Sequence, residues 1–543
     1  YILINQQDDG WLGPRSMKPS SNAETIKSYD LWAQFLILKA LIQYHDATKD
    51  IRIPLAVEKN LRCIEDHIER APLYNWGQFR WYECLLAVFW LFEFQPQQWL
   101  LDLAVKLQAQ GFDWGLQSKN WFLKKPTTKG KWSFMSHVVN HAMAVKAHGL
   151  IWRMEPTQEH LKCAEDLIQK QDQYHGMVTG IFAGDECLAG KSPTAGTELC
   201  AVVEYAFSME TLLSIWGKPE FADRLEKVIF NALPATFSPD MWSHQYDQQV
   251  NQIECSVRSD REWTTNGPDS NIFGLEPDYG CCTANFSQGF PKYAAHLWME
   301  SNDFGMAAMS YAPCEVSTKI KDTPVRISVD TEYPFREEIT VGVHVEKPVQ
   351  FPLYFRIPGW VRNGIIVNSN TLIHAEAGTY VKVEQEWQNN STIKLVFPMK
   401  PSLEKRYLGA VTLIRGPLVY SLKIAEEWKR INPEKPGREL PHADWEVYPR
   451  QAWNYGLMID EQHIDDEVRF EQFPLSEFPF SPDGAPIVAK VKGRKIPQWV
   501  DRNGSSGEVP ESPVYSTEPI EDLTLIPYGC TNLRITEFPL LEK

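Results

Sequence analysis

The spacing of apolar residues changes near residue 305, and this change constrains the fold more than any other feature of the chain. Before it, apolar residues recur three and four positions apart, as at Leu31, Phe35 and Leu38. After it they alternate with polar residues, as between Ile339 and Val345. The first spacing predicts helices with one buried face, and the second predicts strands with one buried face.

The helical part predicts an all-α array of the (α/α)6 toroid type, because successive helices follow one another without strands between them. Helical runs lie at about 54–70, 79–94, 98–110, 134–151, 157–170, 218–233 and 283–301. Strand candidates, separated by Pro, Gly and Asn, lie at 325–330, 353–357, 380–384, 393–397, 411–414, 418–422, 523–526 and 533–536. From about 426 to 520 the chain is rich in Pro and charge and shows little periodicity.

We therefore expect a multidomain α+β protein in which an (α/α)6 barrel is followed by antiparallel β-sandwich domains. The expected limits are 1–303 for the barrel, 304–425 for a β-sandwich, and 426–543 for an irregular wrap that ends in a β segment.

Charge and hydropathy exclude two classes of partner. The chain has 54 Lys and Arg against 70 Asp and Glu, and a net charge of -16 repels a phosphate backbone. The longest apolar run, at 85–94, already contains Glu93 and is too short to span a bilayer. We expect neither nucleic acid binding nor a membrane span. The 20 Trp, 20 Tyr and 26 Phe are a first hint of carbohydrate, because flat aromatic faces suit sugar rings.

The ten cysteines are irregularly spaced and too few for a disulfide scaffold. They favour a cytoplasmic or periplasmic location over a strongly oxidising extracellular one. The chain begins at Tyr1 without Met, which indicates a processed or truncated product. The sequence carries no signal for an oligomeric state.

Two adjacent thiols, Cys281 and Cys282, open a helical run. By themselves they are compatible with a vicinal disulfide, with two inert buried thiols, or with two ligands on one metal ion. Glu198 and Cys200 stand in the first turn of another helix, for which Thr197 is the expected N-cap. Together the four side chains form a soft tetrahedral set suited to Zn²⁺, in a structural or a reactive site.

Glu186 lies in a polar loop twelve positions before Glu198. A carboxyl group close to thiolates has a raised pKa, as a general acid requires, whereas the alternative is an ordinary solvated loop carboxylate. His137 and His175 could hydrogen-bond a sugar, although isolated histidines are more often structural.

These motifs resemble glycoside hydrolase family 127, the β-L-arabinofuranosidase family formerly described as a domain of unknown function. The resemblance covers DGWLGP at 9–14, SHVVNH at 136–141, GDE at 184–186, TELC at 197–200, CC at 281–282, FRIPGW at 355–360, RGPLVY at 415–420 and LIPYGC at 525–530. The combination of Glu-x-Cys with Cys-Cys is the specific part.

The resemblance implies a retaining exo-glycosidase that removes a terminal furanoside from an oligosaccharide or a plant-polysaccharide side chain. By position, Cys281 corresponds to the nucleophile and Glu186 to the acid/base. The zinc ligands correspond to Glu198, Cys200, Cys281 and Cys282. The residues His137, His175 and Tyr246 fall in substrate-contacting segments.

The chain also departs from the best-known arabinofuranosidases. Cys282 is followed by Thr-Ala-Asn instead of Pro-Pro-Asn, Leu199 replaces Thr, and the gap between Glu186 and Glu198 is shorter. These departures keep the zinc ligands but leave the sugar open between a β-L-arabinofuranoside and a related five-membered-ring sugar of pectin.

Two other functions compete with the hydrolase. A polysaccharide lyase could use His137, Asn140 and Tyr246 as its base system, but it leaves the four zinc-ligand candidates unexplained. A carbohydrate-binding protein with a structural zinc explains those ligands without any chemistry.

Overall fold

The computed structural model describes residues 1–15, 29–262, 266–275, 279–368 and 371–542. The chain divides into two compact units. The first contains Tyr1–Phe122 and Ser133–Lys170, and the second contains Leu123–Trp132 and Gln171–Lys543. The chain passes from the first to the second unit after Phe122, returns after Trp132, and passes to the second unit again within the helix Gln158–His175.

The first unit is helical. Its helices are α1 (Trp32–Thr48), α2 (Arg52–Arg70), α3 (Asn75–Phe79), α4 (Glu83–Phe94), α5 (Gln98–Gln110), α6 (Trp114–Lys119), α7 (Val138–Ala144), α8 (Ala147–Trp152) and the start of α9 (Gln158–His175). Phe35 and Leu38 are buried on the predicted face of α1. Helix α4 is apolar on nearly all sides and packs against α1, α2, α5 and α8, as expected of a core helix.

The second unit begins with further helices. These are α10 (Leu199–Trp216), α11 (Pro219–Lys227), α12 (Gly280–Phe286), α13 (Gly289–Ala295) and the short α14 (Ile464–Glu467). Helix α10 ends at Gly217, which adopts φ +61° as a C-cap. In the described chain, α10 alone is long and apolar enough to cross a membrane, and 78% of its apolar window is buried inside the protein.

The strands of the second unit form antiparallel sheets with one parallel pair. A short ribbon joins β1 (Gly196–Glu198) to β2 (Asp247–Gln249). The next strands are β3 (Trp298–Glu300), β4 (Met306–Ala308), β5 (Cys314–Ile320), β6 (Thr323–Thr331), β7 (Glu338–Val345), β8 (Val349–Ile357), β9 (Gly364–Asn368), β10 (Thr371–Ala375), β11 (Thr379–Trp387) and β12 (Ser391–Val396). They form a six-stranded sheet, β10-β9-β12-β7-β6-β5, and a four-stranded sheet, β11-β8-β4-β3, in which β4 and β8 are parallel.

The last strands are β13 (Pro401–Lys405), β14 (Val411–Arg415), β15 (Leu418–Leu422), β16 (Glu426–Ile431), β17 (Asp444–Pro449), β18 (Tyr455–Leu457), β19 (Arg469–Gln472), β20 (Ile487–Lys495) and β21 (Ile520–Pro527). Strands β16 and β17 form a separate hairpin, and the other seven form one sheet in the order β13-β14-β15-β21-β20-β18, with β19 paired to β20.

Three segments differ from the sequence prediction. The helical run expected over 283–301 ends at Ala295, and Trp298–Glu300 forms β3 instead, so strand pairing starts earlier than the change of period indicates. The segment from 426 to 520 contains strands β16 to β20, which irregular connections separate; β16 pairs with β17, and β20 pairs with β18, β19 and β21. Residues 533–536 form no strand; Arg534 makes a single bridge to Gln252. The predicted domain limits stay predictions.

The end of the chain supports the β1–β2 ribbon. Arg534 is fully buried, and its guanidinium donates to the carbonyl oxygens of Gln249, Ala235 and Asn532. The hydroxyl of Tyr528 donates to Gln248 Oε1 at 2.8 Å. The side chains of Tyr528 and Arg534 therefore help to fix the position of strand β2.

Candidate active site

Three backbone segments lie side by side and place the acidic residues of the predicted site. Strand β1 pairs with β2 so that Glu198 is opposite Asp247. Gly184 lies on the other side of β1, where its N–H donates to Gly196 O at 2.8 Å and its carbonyl accepts from Glu198 N–H at 3.0 Å. Glu186 and Glu198 consequently share one small region, and their carboxylate oxygens lie within 4.8 Å of one another.

The four predicted metal ligands are brought together. Glu198, Cys200, Cys281 and Cys282 each offer one ligand atom, and these atoms all lie within 4.8 Å of one another. Cys200 is in the first turn of α10, and the paired cysteines are in the first turn of α12. The expected N-cap of α10 is wrong by one residue: Thr197 belongs to β1, and Glu198 is the cap.

The cysteine pair of the sequence is neither disulfide-bonded nor uniformly buried. Cys281 and Cys282 are free thiols, and Cys200 Sγ lies 3.2 Å from Cys282 Sγ. Glu198, Cys200 and Cys282 are buried, whereas Cys281 is exposed. Of the four ligands, the one that solvent and a substrate can reach is therefore Cys281.

The donor set fits a zinc ion. Glu198 Oε2 is buried and has no hydrogen-bond partner among the described residues. Burial raises the pKa of Glu198, Cys200 and Cys282 well above their usual values, so ionising these groups needs a compensating positive charge. Three thiolates and a carboxylate around one point are the ligands and the count that Zn²⁺ prefers.

The pKa of the exposed thiol, Cys281, is lowered, in contrast to those of the buried thiols. Hydrogen bonds from the thiols of Cys200 and Cys282 lower the pKa of Cys281, and burial acts against them with a smaller effect. Cys281 is thus the thiolate of the cluster even before a cation is considered, and the thiolate is the nucleophilic form of cysteine.

Glu186 is held by three donors. Tyr246 donates its hydroxyl to Oε2 at 2.5 Å, Asn266 donates Nδ2–H to the same oxygen at 3.2 Å, and Trp132 donates its indole N–H to Oε1 at 2.8 Å. The backbone of Glu186 has φ +89°, a conformation that residues other than glycine rarely adopt. Such strain is typical of residues that the surrounding structure fixes for a function.

Tyr246, predicted as a substrate contact, is a hydrogen-bond partner of the predicted acid, and its contact with a substrate stays a prediction. Its side chain is 2% exposed, and its ring lies 4.4 Å from the ring of Tyr279. Burial raises its pKa well above the usual value, with a further contribution from Glu198. Tyr246 therefore stays a neutral phenol that donates a hydrogen bond to Glu186.

Sequence reasoning missed Trp132 and Asn266 as partners of Glu186. They lie 54 and 80 positions from it along the chain. Nothing in the local pattern of either segment marks it as a neighbour of the acid. The one feature of the sequence that draws attention to the segment before Trp132 is its positive charge, from Lys124, Lys125 and Lys129, in a chain that is acidic overall.

Thr283, directly after the paired cysteines, connects the start of α12 to neighbouring segments. The Thr283 hydroxyl donates to Leu275 O at 2.8 Å. His244 Nε2 lies 3.1 Å from the oxygen of that hydroxyl. His244 Nδ1 lies 3.1 Å from Gln245 O, next to Tyr246 in sequence. The threonine thus connects the cysteine helix to the segment just before β2, which contains Tyr246.

His175 is bonded to the backbone of two separate segments. Its ring is fully buried, Nε2–H donates to Leu123 O at 2.7 Å, and Nδ1 accepts from Gly190 N–H at 3.0 Å. Burial lowers its pKa to about 4, so the ring is neutral near pH 7. Both nitrogens are engaged with backbone, and substrate contact by His175 stays a prediction.

His137 and Asn140 belong to the first unit. His137 caps α7, accepting from Asn140 N–H at 3.3 Å, and its ring packs edge-on against Trp76 at 5.1 Å. Asn140 is fully buried, accepts from Arg80 Nε–H at 2.7 Å and donates to Phe134 O at 2.9 Å. These bonds occupy the amide that a lyase would need; substrate contact by His137 stays a prediction.

Comparison with known proteins identifies the family. The family model described as β-L-arabinofuranosidase, GH127 catalytic domain, matches residues 2–295, which is more than half of the chain. The chain belongs to glycoside hydrolase family 127. The GH127 middle-domain model matches residues 305–399, and the resemblance inferred from the motifs is confirmed.

A curated relative is the non-reducing end β-L-arabinofuranosidase of Bifidobacterium longum subsp. longum. It is 23% identical over 290 residues, which are 50% of this chain and 39% of that protein. The chain therefore matches well under half of the length of this relative.

Solved structures of the family share the fold. A GH127 β-L-arabinofuranosidase from Geobacillus stearothermophilus T6 superimposes with a TM-score of 0.69 at 18% identity, covering 99% of this chain and 84% of that one. A structure described as a glycoside hydrolase gives a TM-score of 0.70 at 18% identity, covering 100% of this chain and 87% of that one. The predicted fold class, a helical barrel followed by antiparallel β domains, is confirmed.

Proposed function

We propose that this GH127 protein is a retaining exo-glycosidase with Cys281 as nucleophile and Glu186 as acid/base. One observation carries the proposal: in a cluster of four ligand side chains, Cys281 alone is exposed and has a lowered pKa, while the other three are buried. A purely structural zinc site has no use for one accessible thiolate, whereas covalent catalysis requires one.

The reaction takes two steps. The Cys281 thiolate attacks the anomeric carbon while the carbon–oxygen bond to the leaving group breaks, and Glu186 gives its proton to the leaving oxygen. A thioglycosyl intermediate results. Glu186, now a carboxylate, takes a proton from water, the water oxygen attacks the anomeric carbon, and the carbon–sulfur bond breaks with return of the thiolate. Two displacements at one carbon retain its configuration.

Side chains around Glu186 support this double role. Tyr246, Asn266 and Trp132 each donate a hydrogen bond to its carboxylate, which fixes the direction in which the proton is transferred. Glu198, Cys200, Cys281 and Cys282 would hold the zinc ion. When bound, it supplies the positive charge that keeps the buried thiols ionised.

For the substrate we propose a terminal furanoside, either a β-L-arabinofuranoside or a related five-membered-ring sugar of pectin. The family assignment supports this class, and the curated relative is named as acting at the non-reducing end. Thr283 stands directly after Cys282, so it is a first place to look for a difference in sugar preference.

Intact-mass analysis with an aryl furanoside tests the nucleophile. In Glu186→Gln, an aryl leaving group that needs little protonation still allows the first step, so a sugar adduct accumulates on Cys281. Cys281→Ser traps nothing, because a hydroxyl is a far weaker nucleophile than a thiolate. Both variants lose several orders of magnitude in turnover of an unactivated glycoside. An adduct on another residue, or an inverted product, contradicts the assignment.

Product analysis separates the competing functions. A hydrolase releases a reducing sugar, a lyase makes an unsaturated sugar that absorbs in the ultraviolet, and a binding protein makes neither. The buried amide of Asn140, which is bonded to Arg80 and to Phe134 O, argues against the lyase.

A further inference from the structure

Trp132 combines two properties that rarely occur together. Its side chain is 44% exposed, and its indole N–H donates to Glu186 Oε1 at 2.8 Å. Large aromatic rings are mostly buried, and an exposed ring that is tethered at one edge presents a fixed flat face to solvent. The ring therefore stands beside the proposed acid with a face open to a ligand.

The two oxygens of Glu186 face different surroundings. Oε2 is bonded to Tyr246, which is almost fully buried, and to Asn266. Oε1 is bonded to the exposed Trp132. A glycosidic oxygen must approach the acid from the accessible side, so the group that leaves with this oxygen lies next to the indole.

The segment that carries Trp132 is fixed to the loop that carries Glu186. Within residues 123–132, the carbonyl of Leu123 accepts from His175, whose other ring nitrogen accepts from Gly190 N–H. Thr127 N–H donates to Leu188 O at 2.8 Å.

Close packing adds a second fixed point. A Cβ on Gly190 would lie 2.7 Å from Pro126 Cγ, so the two segments touch at a position that tolerates only glycine. The indole is thus held relative to the acid by bonds and packing that exist before a substrate arrives.

We propose that Trp132 forms the leaving-group subsite, where its exposed face stacks on the ring of the sugar that is released. Trp132 would then determine specificity for a glycosyl leaving group over a small alcohol. This inference rests on the proposed function, because it assigns Glu186 the role of acid.

The test compares two substrates with the same furanosyl group: a methyl furanoside and a disaccharide in which the methyl group is replaced by a sugar. Both leaving groups are alcohols that need protonation, so they differ mainly in the ring that could stack. The quantity to measure is the ratio of kcat/KM for the disaccharide to kcat/KM for the methyl furanoside. Trp132→Ala lowers this ratio about tenfold, and Trp132→Phe, which keeps a ring, retains most of it.

Phe473→Ala serves as the matched control, because Phe473 is a similarly exposed ring (47%) on the connection after β19. It leaves the ratio unchanged. If Trp132→Ala slows both substrates equally, or neither, the subsite is overturned while the proposed function stands. If the wild-type enzyme cleaves neither furanoside, the proposed function fails and the subsite fails with it. If Phe473→Ala lowers the ratio of kcat/KM values as much as Trp132→Ala does, the subsite is also overturned.

Discussion

At the scale of single residues, the chemistry of the cluster depends on one thiol differing from its neighbours. Hydrogen bonds from Cys200 and Cys282 lower the pKa of Cys281, whereas burial raises the pKa of Cys314, a half-buried thiol on β5. Sequence analysis predicted these four side chains as ligands from their residue types, and the structure brings them together. It could not tell which one solvent reaches, because that depends on how the starts of α10 and α12 meet.

This difference predicts selective alkylation of the reduced protein. An ordinary thiol loses reactivity about tenfold per pH unit below its pKa of about 8.5, because only the thiolate reacts. A lowered pKa keeps Cys281 ionised there, so its labelling by iodoacetamide changes little between about pH 6 and pH 8, while Cys314 is labelled only towards the alkaline end. Peptide mapping of each cysteine measures this. Labelling of Cys281 that falls with pH as for a free thiol contradicts the prediction.

Because the backbone of Glu186 is strained, we expect Glu186→Gly to be more stable than Glu186→Ala, the reverse of the usual order. Glu186→Gly and Glu186→Ala both remove the carboxylate and its hydrogen bonds, so they differ only in the Cβ. At φ +89° a Cβ is strained, and we expect the glycine variant to be the more stable by about 1 kcal/mol in free energy of unfolding. Urea unfolding followed by tryptophan fluorescence compares them. In an unstrained loop the alanine variant would be the more stable one, and that order excludes functional strain here.

At the scale of elements, strand β8 is joined to helix α11 by a buried ion cluster. Arg356 is fully buried and pairs with Asp223 and with the fully buried Glu226. Glu226 also accepts from Ser310 at 2.7 Å and from Tyr333 at 2.6 Å. FRIPGW at 355–360 was recognised as a family motif, but its buried arginine could be explained only once β8 was placed against α11.

Removing this arginine should therefore be costly. Arg356→Leu leaves buried carboxylates without their counter-charge, and we expect a loss of about 3 to 5 kcal/mol in the free energy of unfolding. The control is Arg326→Leu on β6, which breaks an exposed pair with Glu315 and should cost less than about 1 kcal/mol. Denaturant unfolding of both variants measures the two losses, and equal values would show that the buried cluster contributes nothing special.

At the scale of the whole molecule, the sequence predicts the order of helical and β parts better than the pairing of distant strands. Periodicity found β7, β12 and β15 within a residue or two at each end. It missed β16 to β20, because Pro-rich and charged connections separate these strands and interrupt the alternation of apolar and polar residues. The β1–β2 ribbon of three-residue strands, which positions Glu198, was also too short to give a periodic signal.

We expect zinc to join three elements that are distant in sequence, because its four predicted ligands come from the end of β1, the start of α10 and the start of α12. We expect freshly reduced protein to contain one zinc ion per chain. Removing it with a chelator should lower the melting temperature and abolish turnover, and adding zinc back should restore both, because a ligand that binds only the folded state stabilises it.

Cys282→Ser should lose the metal, whereas Cys314→Ser, which alters a cysteine outside the cluster, should keep it. Metal analysis beside thermal melting measures both quantities on the same sample, so loss of zinc can be separated from loss of fold. A zinc content near zero in fully active, reduced protein would show that the four side chains serve catalysis without the ion. In that case the thiolate of Cys281 would depend on its hydrogen bonds from the thiols of Cys200 and Cys282 and from the backbone of Cys282.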